Sequence, residues 1–405
     1  MLGGRPLFIN YFASPVRDSP LNASFARLIV GVLVFTWVAA HDFQAASIYE
    51  PAFLAPYMPL PRWLFPVGEG SILDYLWVLK IALLCAVFLF AIGYRTTTTG
   101  IVGMILVFYL GGISRSINSS DQFIFAFWLM IFLLLFRDEV RIGVDSWRQA
   151  RAAPTADPDG APGHFEMGFL RWMLVFTGMI YFLDAFAKLF GVADFAWLEP
   201  TTLRGFIQQN IERRFEVPPL APLIIHSDAF ALFCNVWTIG FEAGLLLAVL
   251  LRRSVGLWLV GLFIMHVGIF LTMNILYVLY FPTLYLLFVA WDNLAIRFAS
   301  PDRLSLTVPH GLSPDQRAMI DQLRLCGLTD RVTVRSTEDE DDGAGGRSLI
   351  VPENGSTVEI ARVAADMYPV NFAMLLALCP SVAVVLLRET WSGWCGGRLV
   401  GETRI

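Results

Sequence analysis

Charged residues are scarce in this chain of 405 residues, and long apolar runs take their place. Only 16% of the residues are Asp, Glu, Lys or Arg, whereas 56% are hydrophobic. Soluble globular domains have about 25% charged residues, so the composition argues against that class and predicts a polytopic α-helical membrane protein. The net charge of −5 is small and gives no reason to expect nucleic acid as a partner.

Cysteine is also sparse, and its spacing argues against two kinds of site. The five cysteines include no Cys-x-x-Cys pair, so the sequence predicts neither a disulfide framework nor a metal site. We expect no cleavable signal peptide, because residues 1–22 are polar and contain proline, and the first apolar run is long enough to span. Residues 1–22 are instead expected to form a cytoplasmic N-terminal segment.

Eight apolar runs are long enough, or nearly so, to cross about 30 Å of hydrocarbon. They lie near Ser24–Ala40, Ile72–Gly93, Gly100–Gly112, Phe123–Phe136, Phe169–Phe190, Phe230–Leu251, Val255–Met273 and Ile275–Trp291. Basic residues are concentrated in the short loops on one side, which predicts that both termini are cytoplasmic. The chain is then an integral protein of the plasma (inner) membrane, surrounded by membrane lipid, with long extracytoplasmic loops at Asp42–Ser71 and Gly191–Ala229.

A change of composition near Arg297 predicts a second domain. Strand-like patterns lie at Leu304–Val308, Arg331–Arg335 and Ser348–Val351, and helix-like patterns at Ser313–Leu325, with Ser313 as N-cap, and Thr357–Met367. The apolar segment Val370–Leu387 is interrupted by Pro380, so it is either a ninth membrane segment or a pair of helices in this domain. The expected organisation is an all-α transmembrane domain at 23–296 and a small cytoplasmic α/β domain at 297–405.

Several ionisable residues fall inside the apolar runs, where such groups are costly and mark candidate functional sites. Arg27 and Lys80 lie near helix ends, and snorkelling to the interface is the simpler expectation for both. His266 is expected either to hydrogen-bond across helices or to line a polar cavity. Glu242 requires a partner or a bound proton in such a position.

Asp184 and Lys188 stand one helical turn apart in the stretch MIYFLDAFAKLFG and therefore share a helix face. One interpretation is an internal ion pair that neutralises both groups. The other is a lysine in a pocket of low dielectric constant, where burial disfavours the ammonium form and makes a neutral amine available as a base. A neighbouring carboxylate acts in the opposite direction, so the sequence leaves both interpretations open.

A series of short segments resembles, in order, the horizontally transferred transmembrane (HTTM) domain, whose best-known members are the vitamin K-dependent γ-carboxylases. The matching segments are FARLIVG, AIGYRTT, SINSSDQFIFAF, RIGVDSW, IYFLDAFAKL, WLEP, the helix with His266, and LYFPTLYLL, which together cover roughly residues 24–295. The resemblance implies a bundle of about eight transmembrane helices and a lyase-type reaction.

The resemblance also implies roles for individual residues. Lys188 matches the family's base, which deprotonates reduced vitamin K, so reduced vitamin K or another quinol is the implied cofactor, and the substrate is a peptide or lipid. His266 is a weaker candidate for polarising an oxygen. Asp184 stands where the family has a small residue, and it is the third catalytic candidate because it shares a helix face with Lys188. The candidate cofactor-binding residues are Asn118, Tyr181 and Trp197, which lie in matching segments, and Glu242, the carboxylate in an apolar run.

Two other functions remain open at this point. The chain resembles, in its tail, a DCC-type thioredoxin-like domain, but VPHGLSPDQ lacks the cysteines of that family's helix-opening turn. Thiol–disulfide exchange needs a thiolate there, so the tail is expected to be structural or to dock a partner. This favours a non-catalytic membrane factor that assists the maturation or export of a secreted peptide, or that binds a membrane protein.

The third possibility is a transporter-like helical bundle. Its path for a proton or a solute would be lined by Asp184, Lys188, Glu242 and His266.

Overall fold

Helices dominate the part of the chain that the structure describes, as the composition predicts. The computed structural model describes residues 17–18, 20–43, 75–118, 122–135, 142–152, 165–166, 169–191, 196–251, 253–274, 285–299, 303–308, 312–328, 332–336, 346–350 and 357–401. In chain order its elements are β1 (Arg17–Asp18), α1 (Pro20–Ala40), α2 (Leu76–Ala91), α3 (Thr96–Asn118), α4 (Gln122–Leu135), α5 (Val144–Ala152), β2 (Phe165–Glu166), α6 (Phe169–Phe190), α7 (Pro200–Arg214), α8 (Ala221–His226), α9 (Asp228–Leu250), α10 (Val255–Met273), α11 (Trp291–Phe298), β3 (Arg303–Val308), α12 (Pro314–Leu323), β4 (Val332–Ser336), β5 (Gly346–Ile350), α13 (Thr357–Met367), α14 (Pro369–Leu378) and α15 (Pro380–Gly401).

The chain divides into two compact units. The first unit comprises Met1–Arg17 and Glu166–Ala290, and it contains α6 to α10. The second unit comprises Asp18–Phe165 and Trp291–Ile405, so it combines α1 to α5 with the C-terminal tail. The separation of a transmembrane domain at 23–296 from a domain at 297–405 stays a prediction.

Among the described residues, five helices are long and apolar enough to cross a membrane. They are Pro20–Ala40, Thr96–Ser114, Trp172–Phe190, Asp228–Leu250 and Val255–Met273. These helices confirm the class of membrane protein. The second and fourth predicted runs form the shorter apolar helices α2, of 16 residues, and α4, of 14 residues. Most of the eighth predicted run, residues 275–284, lies outside the described residues.

The predicted loop Gly191–Ala229 contains two helices that the sequence analysis missed. α7 and α8 pack on the ends of α9 and α10 through a small apolar core. The core consists of Leu203, Ile207, Ala221, Ile224 and Ala231, with Ile211, Ile225, Cys234 and Met273 packed against it. α7 begins with Pro200 at its first position, which suits a helix start. Its larger apolar residues are Leu203, Phe206, Ile207 and Ile211, separated by polar residues and Gly205, so the segment has no long apolar run.

The tail contains a parallel sheet in the order β4-β3-β5, and α12 to α15 lie between and after its strands in the sequence. Ser313 caps α12 as expected: its hydroxyl accepts from the Gln316 amide, and the Gln316 side chain accepts from the Ser313 amide. α14 and α15 form a pair bent by 103° at Cys379, where Pro380 prevents a continuous helix. The apolar segment that follows Met367 is therefore two helices rather than one straight span.

Arg27 does not snorkel, which corrects the expectation from its position near a helix end. The side chain is buried in the second unit, where Nε donates to the carbonyl of Ala91 at 3.1 Å and Nη2 to that of Ile142 at 2.7 Å. Two glycines make room for the guanidinium, because a Cβ at Gly93 or Gly143 would lie within 2.8 Å of its nitrogens. Arg27 thus joins the end of α2 to the start of α5.

Gly31 allows α1 and α2 to pack closely, and its replacement is expected to separate them. A Cβ at Gly31 would lie 2.5 Å from Cβ of Ala91, so Gly31→Ala should lower the free energy of unfolding by about 1–3 kcal/mol through overpacking. Reversible SDS titration in mixed micelles measures the change. Gly240→Ala is the control, because a Cβ there meets nothing within 4 Å. Equal stability of the two variants would contradict the packing shown for α1 and α2.

Candidate functional site

Three polar side chains share one face of α6 in the first unit. Tyr181, Asp184 and Lys188 are spaced by three and four residues, so they lie above one another on the helix surface. Apart from Arg171 and the buried Thr177, the rest of the helix is apolar, and Leu183, Phe186 and Phe190 are exposed. The polar face of α6 is the part of this span that can take part in chemistry.

Lys188 is held by two carboxylates. Its Nζ lies 2.5 and 2.6 Å from the two oxygens of Glu242 on α9, and 2.8 Å from Oδ2 of Asp184. The Glu242 side chain is 4% exposed, that of Lys188 15% and that of Asp184 58%. The lysine therefore connects an exposed carboxylate with a buried one. Lys188 is therefore the partner that Glu242 requires in an apolar run. The sequence alone did not identify it.

The close packing of α6 on α9 brings Lys188 to Glu242. A Cβ at Gly178 would lie 3.1 Å from Cα of Leu246, so glycine lets the two backbones approach as small residues do in membrane helix pairs. Gly178 and Leu246 set the level at which the antiparallel helices cross. Glu242 lies one turn from Leu246 on α9, and the long side chain of Lys188 points back along α6 toward it.

The charges of this cluster do not cancel. One ammonium and two carboxylates carry a net charge of −1, and placing such a charge in a membrane-spanning unit is costly. A further proton on one of the carboxylates would remove the imbalance. Since a carboxylic acid can be a hydrogen-bond donor as well as an acceptor, the short contacts between Lys188 and Glu242 are compatible with either position of the proton.

A short turn lies beside the lysine. The indole of Trp197, in the 3₁₀ turn Ala196–Leu198, is centred 5.5 Å from Nζ of Lys188, within range of a cation–π contact. The indole stacks on Phe206 of α7 at 5.1 Å. Asn235 of α9 supports this turn, because its Nδ2 donates to the carbonyl of Glu199 at 3.0 Å. Among the described residues, Asn235 Oδ1 is buried and has no hydrogen-bond partner.

A second polar group in the first unit contains His266. Its Nδ1 lies 2.8 Å from the carbonyl of Leu262 and 3.0 Å from the hydroxyl of Tyr285, and the Tyr285 hydroxyl lies 3.1 Å from that of Tyr181. A carbonyl only accepts, so Nδ1 carries a proton and the Tyr285 hydroxyl is free to donate to Tyr181. All three side chains are buried. They form a row of proton-carrying groups that ends on the polar face of α6.

The predicted site residues fall in both units. Tyr181, Asp184, Lys188, Trp197, Glu242 and His266 lie in the first unit. Asn118 is the last residue of α3 in the second unit, and its side chain lies outside the described part. Tyr285 and Asn235 were missed, although a polar residue within a long apolar run was the signal that could have found them. Their contacts depend on helix packing that one sequence does not reveal.

Proton transfer is the chemistry to which this arrangement is suited. Within the described residues, no group of three or more His, Cys, Asp or Glu side chains could hold a metal ion. An amine between two carboxylates, an aromatic face and a row of hydroxyl and imidazole groups can instead hold and move protons. Comparison of the chain with protein-family models, curated proteins and solved structures finds no match.

Proposed function

We propose that this chain is a membrane-embedded enzyme of the γ-carboxylase-like class, in which the Lys188–Glu242 pair is the base that takes a proton from a quinol. The observation that carries the proposal is the contact of Nζ with both Glu242 oxygens, at 2.5 and 2.6 Å, in a membrane-spanning unit. The ordered sequence resemblance to HTTM domains supports the same class. The final substrate is then a peptide or a lipid.

Glu242 allows Lys188 to become a base despite its two acidic neighbours. An ion pair in a medium of low dielectric constant loses solvation that its mutual attraction only partly restores. Transfer of one proton from the ammonium to Glu242 gives a neutral amine beside a neutral acid, which removes that cost. The amine then has a lone pair with which to accept a proton from a bound hydroxyl group.

The residues around Lys188 fit a quinol. The stacked rings of Trp197 and Phe206 offer an apolar surface to a planar aromatic molecule. Asn235 Oδ1, on α9 beside this turn, offers a buried acceptor, which a hydroxyl group can satisfy. A reduced quinone supplies an acidic aromatic hydroxyl when bound. Lys188 takes its proton, Glu242 holds the proton that Lys188 gave up, and Trp197 excludes water from the amine.

Oxygen consumption with a reduced quinone tests this function. The purified full chain in nanodiscs should consume oxygen when reduced naphthoquinone is added, and fixation of labelled bicarbonate should be assayed in parallel. Lys188→Ala should lower the rate by about a hundredfold or more, as expected when a base is lost. The chain has two lysines, so Lys80→Ala is a matched control.

Lys80 lies in the second unit, where Nζ donates to the carbonyls of Ala39 and His41. Its loss should leave the rate unchanged in protein that is folded by gel filtration. Equal rates for Lys188→Ala and the parent protein, or no turnover with any quinol tested, would contradict the proposed function.

A proton- or solute-conducting bundle is the second candidate, favoured by the arrangement of the two carboxylates. Lys188 bridges Asp184, which is 58% exposed, and Glu242, which is 4% exposed. A proton could therefore pass from the exposed carboxylate through the lysine to the buried one. Proteoliposomes should then show a proton or solute flux that Glu242→Gln abolishes without any added quinol. Absence of flux would leave the enzyme as the better-supported function.

A further inference from the structure

The hairpin formed by α7, residues 215–220 and α8 is fixed at the end of a membrane span. Leu220 N donates to the carbonyl of Leu271 at 3.0 Å, and Asn274 Nδ2 donates to Glu216 at 2.8 Å. Asn210 also donates to the carbonyl of Met273. α10 has 19 residues, or about 29 Å at 1.5 Å per residue, which matches the hydrocarbon thickness. The hairpin therefore lies level with one boundary of the bilayer.

The tip of this hairpin presents apolar side chains outward. Phe215 is 93% exposed and Val217 is 63% exposed. Phe215 has a φ of 56° and ψ of 25° at the end of α7, a left-handed conformation that is uncommon and unfavourable for a bulky residue. The fold thus maintains a strained turn that directs a phenyl ring away from the apolar core of the hairpin.

The sequence at the tip is suited to a lipid interface. Arg213 and Arg214 immediately precede Phe215 in ERRFEV, and arginine together with phenylalanine is typical of segments that lie in the membrane interface. Phe230 and Phe233, in the first two turns of α9, are also exposed, so the span that follows the hairpin begins with exposed aromatic rings. Burial of a phenyl ring in lipid is favourable and can offset the strained backbone.

We propose that the tip Phe215–Val217 inserts among the lipid headgroups and upper acyl chains at the end of α10. The hairpin is then an interfacial anchor, and its depth is set by the hydrogen bonds to Leu271, Met273 and Asn274. This inference goes beyond the proposed enzyme, since it concerns the membrane around the first unit and requires no turnover.

Spin-label accessibility of the full chain in nanodiscs tests the anchor. A nitroxide is attached to the cysteine of the Phe215→Cys variant. Because the parent chain has five cysteines of its own, it is labelled in parallel and its signal is subtracted. Gln209→Cys is the control on α7, because Gln209 is exposed and about 200° from the core residue Ile207. Molecular oxygen should relax the label at position 215 faster than the label at position 209. The accessibility of the label to a water-soluble nickel chelate should be at least threefold lower at position 215 than at position 209.

Two results would overturn the proposal. Equal access of the nickel chelate to both labels would mean that the tip is in water. Protection of position 215 from both oxygen and nickel would mean that a protein surface covers it. Should Phe215→Cys fail to fold because of its turn, Val217→Cys provides the same readout and is expected to give the same preference for oxygen.

Discussion

Glu242→Leu is expected to lower the free energy of unfolding by about 3–5 kcal/mol, because it leaves the ammonium of Lys188 without its buried partner. Glu242 is the more deeply buried of the two carboxylates that contact the lysine. Asp184 replaces little of that stabilisation because it is mostly exposed and only one of its oxygens contacts Nζ, whereas both oxygens of Glu242 do. Reversible SDS titration in mixed micelles measures the change.

The double variant Lys188→Met/Glu242→Leu distinguishes the effect of the charged pair on the free energy of unfolding from its effect on catalysis. Replacing both charges with apolar side chains removes the cost of desolvation, so this variant should regain most of the lost stability and could exceed the parent. Its quinol-dependent oxygen consumption should remain at the background. Asp184→Asn is the control with a small expected effect on stability, of about 0–1 kcal/mol. Recovery of turnover in the double variant would show that the pair is structural only.

Arg27→Met is expected to cost about 3 kcal/mol or more, although methionine fills much of the same volume. The carbonyls of Ala91 and Ile142 lose a charged donor in a buried position, and each unsatisfied group costs about 1–3 kcal/mol. Arg388→Ala is the matched control in the same unit. It also ends an arginine hydrogen bond, to Asp315 at 3.2 Å, but its side chain is 62% exposed, so its loss should cost at most about 1 kcal/mol.

Arg27→Lys separates shape from charge at this junction. An ammonium cannot donate in two fixed directions as the planar guanidinium does, so lysine should restore less than half of the stability lost in Arg27→Met. Full rescue by lysine would mean that charge alone matters and would contradict the role assigned to the two carbonyls. The same titration serves all three variants.

Local patterns predicted the parts of the fold that depend on neighbours in sequence. The helix Thr357–Met367 begins and ends where the sequence indicated, and the cap at Ser313 was recognisable because its partner is three residues away. α7 and α8 were missed because they bury only a narrow apolar stripe against α9 and α10. Arg27 was assigned wrongly because its acceptors are backbone carbonyls, which carry no signature in a sequence.

In the candidate site, too, the contact between neighbours in sequence could be predicted and the contact between distant residues could not. The contact between Lys188 and Asp184, at 2.8 Å, was expected from their spacing on one helix. The contact between Lys188 and Glu242 joins residues 54 positions apart, and it depends on the level at which Gly178 lets α6 meet α9. One sequence shows that Glu242 needs a partner, but the register of two helices decides which residue that partner is.

Infrared difference spectroscopy of the protein in nanodiscs gives the most direct test of proton exchange between Lys188 and Glu242. Addition of reduced naphthoquinone should produce a band of a protonated carboxyl group, because Glu242 keeps the proton that Lys188 releases before accepting one from the quinol. The band should be absent from Glu242→Gln and present in Asp184→Asn. A spectrum in which no carboxyl group changes protonation, or a band that persists in Glu242→Gln, would contradict the pair as the base.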